Sequence, residues 1–167
     1  MLLYISYYYL FIYEFKSPVG ELTMNYAVIY WSRYGNGKKI VDYLSEKIKS
    51  KGFKIQVLKT DEANPSSMPE ADFYVFSAPT EAFNIQRNMR SFMKKLEGME
   101  GKKYGIINTH GMNRNWLNKM EKLLSKKNMV KVAGVDFQVG KDANSGNGLM
   151  DDWKSKVDDF LIKISLD

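Results

Sequence analysis

Residues 26–48 read YAVIYWSRYGNGKKIVDYLSEKI. The first six form a short apolar run bounded by a polar loop with two glycines, the pattern of a strand buried on both faces of a parallel sheet. After that loop Ile40, Val41, Leu44 and Ile48 recur at helical spacing, Lys47, Lys49 and Lys51 gather toward the end, and Gly52 stops the run. Strand, glycine-containing loop, helix is the opening unit of an α/β domain.

The same alternation continues downstream. Residues 53–59 predict a second strand, and residues 62–70, with two prolines, hold at most a short helical turn. Residues 72–77 (DFYVFS) predict a third strand, residues 78–84 a loop, and Ile85, Met89, Phe92, Met93 and Leu96 the inner face of a helix ended by Gly98 and Gly101. Residues 103–109 (KYGIINT) predict a fourth strand and residues 110–113 a loop. Trp116, Leu117, Met120, Leu123 and Leu124 mark the next helix. Residues 130–139 predict a fifth strand, residues 141–148 are polar and glycine-rich, and Leu149, Trp153, Val157, Phe160, Leu161 and Ile164 form the buried face of a last helix. Asp151 and Asp152 suit its positively polarised first turn.

Five apolar strands joined by right-handed crossovers predict a doubly wound parallel sheet with helices on both faces. Ligands of such sheets bind beyond the carboxyl ends of the strands, where the strand order reverses. Three loops meet there: residues 32–37, 78–84 and 110–113. Their residues are the candidates for a site.

Residues 1–13 (MLLYISYYYLFIY) stand apart as an apolar, tyrosine-rich run, closed by Glu14, Lys16 and the turn-forming Ser17, Pro18, Val19 and Gly20. They are shorter than the ~20 apolar residues of a bilayer span and lack the basic start and small-residue cleavage site of a secretory signal. Residues 1–23 are expected to be a leader or N-terminal extension, and residues 24–167 the domain. Association of the extension with a membrane and its addition as an edge strand are the other readings. The domain itself is expected to be cytoplasmic.

Composition narrows the chemistry. At 167 residues, 44% of them hydrophobic, the chain suits one well-cored domain. It has no cysteine, so disulfides, thiolate metal sites and thiol nucleophiles are excluded. His110 is the single histidine, which removes multi-histidine metal centres. Redox chemistry would therefore have to come from an organic cofactor. A Ser-His-Asp hydrolase would need His110 as its base, and no G-x-S-x-G elbow supports one. The formal charge of +6 is spread through every helical segment, and no nucleic-acid-binding signature accompanies it.

The first loop, Ser32-Arg33-Tyr34-Gly35-Asn36-Gly37, with Lys38 expected to begin the helix, has the makings of a phosphate cradle. A helix start leaves four amides unpaired at the positive end of the macrodipole, and Gly35 and Gly37 let the backbone curl around an anion. Ser32 and Asn36 can add side-chain hydrogen bonds. The structural alternative is a flexible turn with a capping asparagine. A dinucleotide site fits less well: Ile40 stands where G-x-G-x-x-G has its third glycine, and Ser32, Arg33 and Tyr34 separate the strand from Gly35. A P-loop lacks its G-x-x-x-x-G-K-[ST], and a phosphorylated receiver domain lacks its aspartate, since the third strand ends on Ser77.

At these residues the chain resembles the flavodoxin family, whose first loop runs S/T-x-T-G-N-T and wraps the phosphate of FMN. Here the match is Ser32-x-Tyr34-Gly35-Asn36-Gly37, with Tyr34 and Gly37 in place of the two threonines. Ser77-Ala78-Pro79-Thr80 is similar to the S-P-T opening of that family's second loop, and Asn108-Thr109-His110-Gly111 stands where the third would be. No long insertion splits the fifth strand, so the likeness is to short-chain members. The expected strand order is then 2-1-3-4-5.

The resemblance implies noncovalent FMN as cofactor. Its phosphate would lie at Ser32, Arg33, Tyr34, Gly35, Asn36, Gly37 and Lys38, and its ring between the second and third loops. Phe83 would be the stacking residue, and Pro79, Thr80, Asn84, His110 and Gly111 would be further contacts. Thr80 and Asn84 have the alternative role of capping the next helix. His110, a group that titrates near neutrality, either faces the ligand or makes a local loop bond. The family stabilises the one-electron form of flavin by flipping a glycine-containing peptide. Thr80-Glu81-Ala82-Phe83 has no glycine, so that stabilisation is expected to be weak.

Without Lys16, Glu14 and Glu21, residues 24–167 carry 24 basic and 17 acidic side chains, a basic balance that favours easier two-electron reduction. Arg87, Arg90 and Lys94 share a helix face, and either dock an acidic redox partner or form a solvated surface. The expected function is electron transfer between partner proteins. The alternatives are an FMN-dependent NAD(P)H:quinone-type reductase and a binding protein that has lost the cofactor.

Overall fold

The computed structural model describes residues 23–112 and 116–165, so the leader expected over residues 1–23 lies outside the described residues but for Thr23. β1 (Asn25–Tyr30) runs into α1 (Asn36–Ser50), followed by β2 (Lys54–Lys59) and β3 (Phe73–Glu81). After β3 come β4 (Asn84–Ile85), α2 (Arg87–Lys95), β5 (Lys103–His110), α3 (Leu117–Ser125), β6 (Val130–Gln138) and α4 (Trp153–Ser165). A five-residue 3₁₀ turn, Lys141–Ser145, lies between β6 and α4.

The sheet order is β2-β1-β3-β5-β6, all parallel, with β4 paired antiparallel to β3 off this path. This is the expected doubly wound order with one short strand added. β1 sits between β2 and β3, so the chain leaves it first to one side and later to the other. A crevice therefore opens beyond its carboxyl end.

Alternation along β1 divides the core into two. Ala27 and Ile29 face a cluster with Met89, Phe92 and Met93 of α2 and Met120 and Leu124 of α3. Tyr26, Val28 and Tyr30 face Ile40, Val41, Leu44 and Ile48 of α1 and Val157, Phe160, Leu161 and Ile164 of α4. Leu44 and Ile48 are fully buried, and truncating either to alanine would cost about 2–5 kcal/mol. At Gly105 a Cβ would stand 2.6 Å from Phe160 Cζ, so α4 reaches the sheet only because β5 has no side chain there.

Several boundaries differ from expectation near the crevice. The helix begins at Asn36, two residues before Lys38, because Gly35 takes a left-handed conformation (φ +94°) and turns the chain directly into α1. Residues 62–70 form turns but no helix. The loop expected over residues 78–84 is a β-hairpin: β3 continues to Glu81, Thr80 pairs with Ile85 and Glu81 with Asn84, and Ala82 and Phe83 make the turn at φ +46° and +60°. That turn type requires positive φ at both central residues and normally signals itself through Asn and Gly, which Ala82-Phe83 does not do. His110 belongs to β5, paired with Gln138, instead of opening a loop, and Asn113 lies outside the described residues.

Candidate functional site

Beyond the carboxyl ends of β1, β3 and β5 lies a cleft of about 230 Å³. The β1–α1 turn lines it through Ser32, Arg33, Tyr34, Asn36 and Gly37, the hairpin through Pro79, Thr80 and Glu81, and β5 through Thr109, His110 and Gly111. The fourth wall is Val139, Ala143 and Asn144, from the strap between β6 and α4. Gly35, Lys38, Phe83 and Asn84 do not line it.

The turn is organised from within and from afar. The Gly35 amide donates to Ser32 Oγ (3.2 Å), and the Lys39 amide donates to the Gly35 carbonyl (2.9 Å), the first intrahelical bond of α1. Among the described residues, the amides of Asn36, Gly37 and Lys38 have no protein acceptor. They are the orphan donors of a helix start, and no side chain caps them. A Cβ at Gly37 would meet Ser32 Oγ at 3.5 Å, an ordinary contact.

The Asn36 side chain faces the strap: Nδ2 donates to the Ala143 carbonyl (2.7 Å), and Oδ1 accepts from the Gly148 amide (3.0 Å). Lys39 Nζ donates to the Gly146 carbonyl (2.6 Å) and Asn147 Oδ1 (2.8 Å). Gly146 has φ +76°, and a Cβ there would collide with the Tyr34 carbonyl. The strap thus holds the turn from outside. Lys38 is drawn away along the helix to Asp42 Oδ2 (2.6 Å), a bond that raises its proton affinity.

Arg33 and Glu81 bridge the mouth of the cleft from opposite walls. Nε and Nη2 donate to the two carboxylate oxygens at 2.9 and 3.0 Å, and the guanidinium lies 5.3 Å from the Trp31 ring centroid. The hydrogen bond to Glu81 raises the proton affinity of Arg33. Thr80 Oγ1 meets the amide of Asn108 (3.2 Å), a fully buried residue whose Nδ2 also donates to the Ala78 carbonyl (2.9 Å). Thr80 therefore braces β3 against β5 at the cleft floor. The cap of α2 is Gln86, which accepts from the Met89 amide, while Asn84 accepts from the Ile85 amide. Phe83 is 62% exposed at the hairpin tip, where its carbonyl accepts from Lys119 Nζ (2.7 Å).

His110 is buried at the cleft floor with Nε2 2.7 Å from Asp136 Oδ2. Its Nδ1 is buried without a hydrogen-bond partner, and it is the one such side-chain atom among the described residues. Asp136 and the strap were not among the expected site residues, and Asn108 was quoted only as the start of the third loop. Asp136 is set beside the site only by the β5–β6 register, which pairs it with Asn108.

Among the described residues no helix is long and apolar enough to cross a membrane. A family model described as a flavodoxin domain matches residues 27–151. Flavodoxin 2 from Bacillus cereus, in its oxidised form, superposes with a TM-score of 0.72 at 14% identity, over 85% of this chain and 98% of that one. A flavodoxin from the domain Archaea gives 0.64 at 18% identity, over 85% and 99%. A flavo di-iron protein variant from Thermotoga maritima gives 0.66 at 20% identity, over 85% of this chain and 35% of that one. At these identities the likeness to solved structures is one of fold. No curated protein matches by sequence.

Proposed function

Because the chain belongs to the flavodoxin-domain family, we propose that residues 24–167 form a redox module that binds FMN noncovalently in the cleft and passes electrons between partners. The observation that carries this reading is the row of amides at Asn36, Gly37 and Lys38, without protein acceptors, at the positive end of α1 and beside the topological switch point. The residues present fit the group. The amides and Ser32 would hold a phosphate, and Arg33 and Tyr34 would flank it. Pro79, Thr80, Thr109, His110 and Gly111 line the remainder of the same cleft. Bound FMN would supply the capacity to accept and release electrons, which no side chain of this cysteine-free chain provides.

The chain's own residues do the positioning. Asn36 and Lys39 tie the turn to the strap, so the amides are ordered before a ligand arrives and less entropy is lost on binding. Thr80 and Asn108 fix the spacing of β3 and β5. Arg33 lies at the cleft mouth as a cation already paired to Glu81. The physiological partner would be an acidic protein docking on Arg87, Arg90 and Lys94 beside the hairpin, and the complex would weaken with salt.

One observation favours a second reading. Phe83 is exposed at the hairpin tip and is not among the residues lining the cleft, so the hairpin contributes no aromatic wall to it, and a small acceptor such as a quinone would have access. Steady oxidation of NADPH by a quinone in the presence of loaded protein would establish that reductase.

The deciding experiment is the visible spectrum of purified protein followed by titration of FMN into wild type and Gly37→Asp. The aspartate places a carboxylate over the free amides without forcing a positive φ. Wild type is expected to bind FMN, and the variant at least about tenfold more weakly with its thermal stability retained, since an acid at a helix start is favourable. A colourless wild-type protein that ignores added FMN would overturn the proposal in favour of a fold that has lost its cofactor.

A further inference from the structure

His110 is the one residue of the cleft that is deeply buried, titratable and only half satisfied. Its side chain is 2% exposed, and Nε2 is engaged by Asp136 Oδ2 at 2.7 Å. The Asp136 carboxylate is itself 46% exposed, and as the acceptor of this bond it fixes the proton on Nε2. That leaves Nδ1 as a bare, buried acceptor with no protein partner. The pair therefore joins a half-exposed carboxylate to a buried residue of the cleft lining.

The other charged groups nearby do not compete for this role. Lys156 Nζ, from α4, donates to the Asp136 main-chain carbonyl and leaves its carboxylate free for the imidazole. Arg33 and Glu81, on the opposite walls, neutralise one another. Among the described residues lining the cleft, His110 is the one imidazole, and it can take up a proton in answer to negative charge generated there.

We propose that His110, held by Asp136, is a redox-linked proton acceptor: as the cleft's occupant is reduced by two electrons, Nδ1 of His110 takes up a proton. The inference rests on FMN being that occupant. Two electrons from the reductant and one proton go to the flavin, and a second proton resides on Nδ1. The imidazolium so formed would be paired with Asp136 through Nε2. The one bond formed in the protein is Nδ1–H, and reoxidation breaks it and returns that proton to solvent.

Since His110 is the only histidine of 167 residues, its ring nitrogens can be assigned without ambiguity in protein carrying ¹⁵N-histidine. The measurement is the pH titration of both nitrogens by NMR in FMN-loaded protein, oxidised and then reduced anaerobically with dithionite. In the oxidised state the proton of the neutral ring is expected on Nε2. On reduction the Nδ1 signal is expected to move to the protonated position, its proton affinity rising about tenfold, which is one pH unit in the midpoint. Asp136→Asn, which keeps the shape and removes the charge, is expected to mix the two tautomers when oxidised and to shrink the shift on reduction. A loaded protein whose imidazole titrates identically in both redox states overturns the redox-linked proton uptake alone. A protein that takes up no flavin overturns it and the proposed function together.

Discussion

The side chain of Asn36 reaches across 107 positions of sequence to donate to the carbonyl of Ala143 at 2.7 Å. The first residue of α1 is thereby fastened to the strap that forms the far wall of the cleft. The same carboxamide accepts from the buried Gly148 amide, so one side chain satisfies a donor and an acceptor of the strap together.

Replacing Asn36 with alanine leaves the Gly148 amide without its acceptor, at a cost of about 1–3 kcal/mol for a buried unsatisfied donor. Urea unfolding is expected to show that loss, and amide hydrogen exchange is expected to accelerate first at Gly148. FMN affinity should fall as well, because the turn is less ordered before binding. Protection at Gly148 equal to wild type would contradict the bracing role.

Glu81→Gln removes the carboxylate that pairs with Arg33. The pair is partly exposed, Arg33 more than Glu81, so stability is expected to change by no more than about 1 kcal/mol. Binding responds differently: the guanidinium is released and a negative charge leaves the cleft mouth. FMN affinity, followed by quenching of flavin fluorescence at low salt, is expected to rise several-fold, and the gain should vanish as salt is added.

Gly105→Ala inserts a methyl where Phe160 Cζ would lie 2.6 Å away, and the ring is held by the packed α4. Overpacking of this kind costs about 1–3 kcal/mol, read as a lower urea midpoint. Phe160→Leu in the same chain is expected to recover part of the loss, giving a non-additive double-mutant cycle.

Burial, with a smaller contribution from Glu121, pushes the Tyr104 hydroxyl up from 10.0 to about 12, and burial also raises Tyr26 and Tyr74. A folded-state value above the unfolded one means that the native state binds the proton more tightly. The associated stability is complete below pH 10 and is lost as pH rises toward about 12. Unfolding free energy measured over that window should decline, and Tyr104→Phe should flatten the decline. Tyrosinate absorbance in the native protein should lag behind that of the unfolded chain.

The architecture was legible because it is written in local periodicities. Val28 and Ile29 in a short apolar run, Ile40, Val41, Leu44 and Ile48 at helical spacing, and Gly35 at the turn each act within a few residues of themselves. The orphan amides of α1 belong to the same class, since any helix start that no side chain caps exposes them. The hairpin at Ala82-Phe83 was not legible, because these residues carry no intrinsic preference for positive φ, and the β4 pairing with β3 imposes it. Phe83 was accordingly expected over the ligand and stands at an exposed tip.

What the chain determined by itself was the alternation of strands and helices, the loops that meet at the crevice and the polarity of its first turn, all consequences of backbone hydrogen bonding and side-chain spacing over short distances, while the strand order was implied by the family resemblance. Tertiary structure alone decided which side chains the cleft can use. Asn36 is taken by Ala143 and Gly148, Lys38 by Asp42, and Arg33 by Glu81, while His110 receives Asp136 from the neighbouring strand. Apart from the helical Lys38–Asp42 pair, these partners are far apart in sequence. Each pairing depends on strand register and loop approach, which are set by the packing of the whole domain.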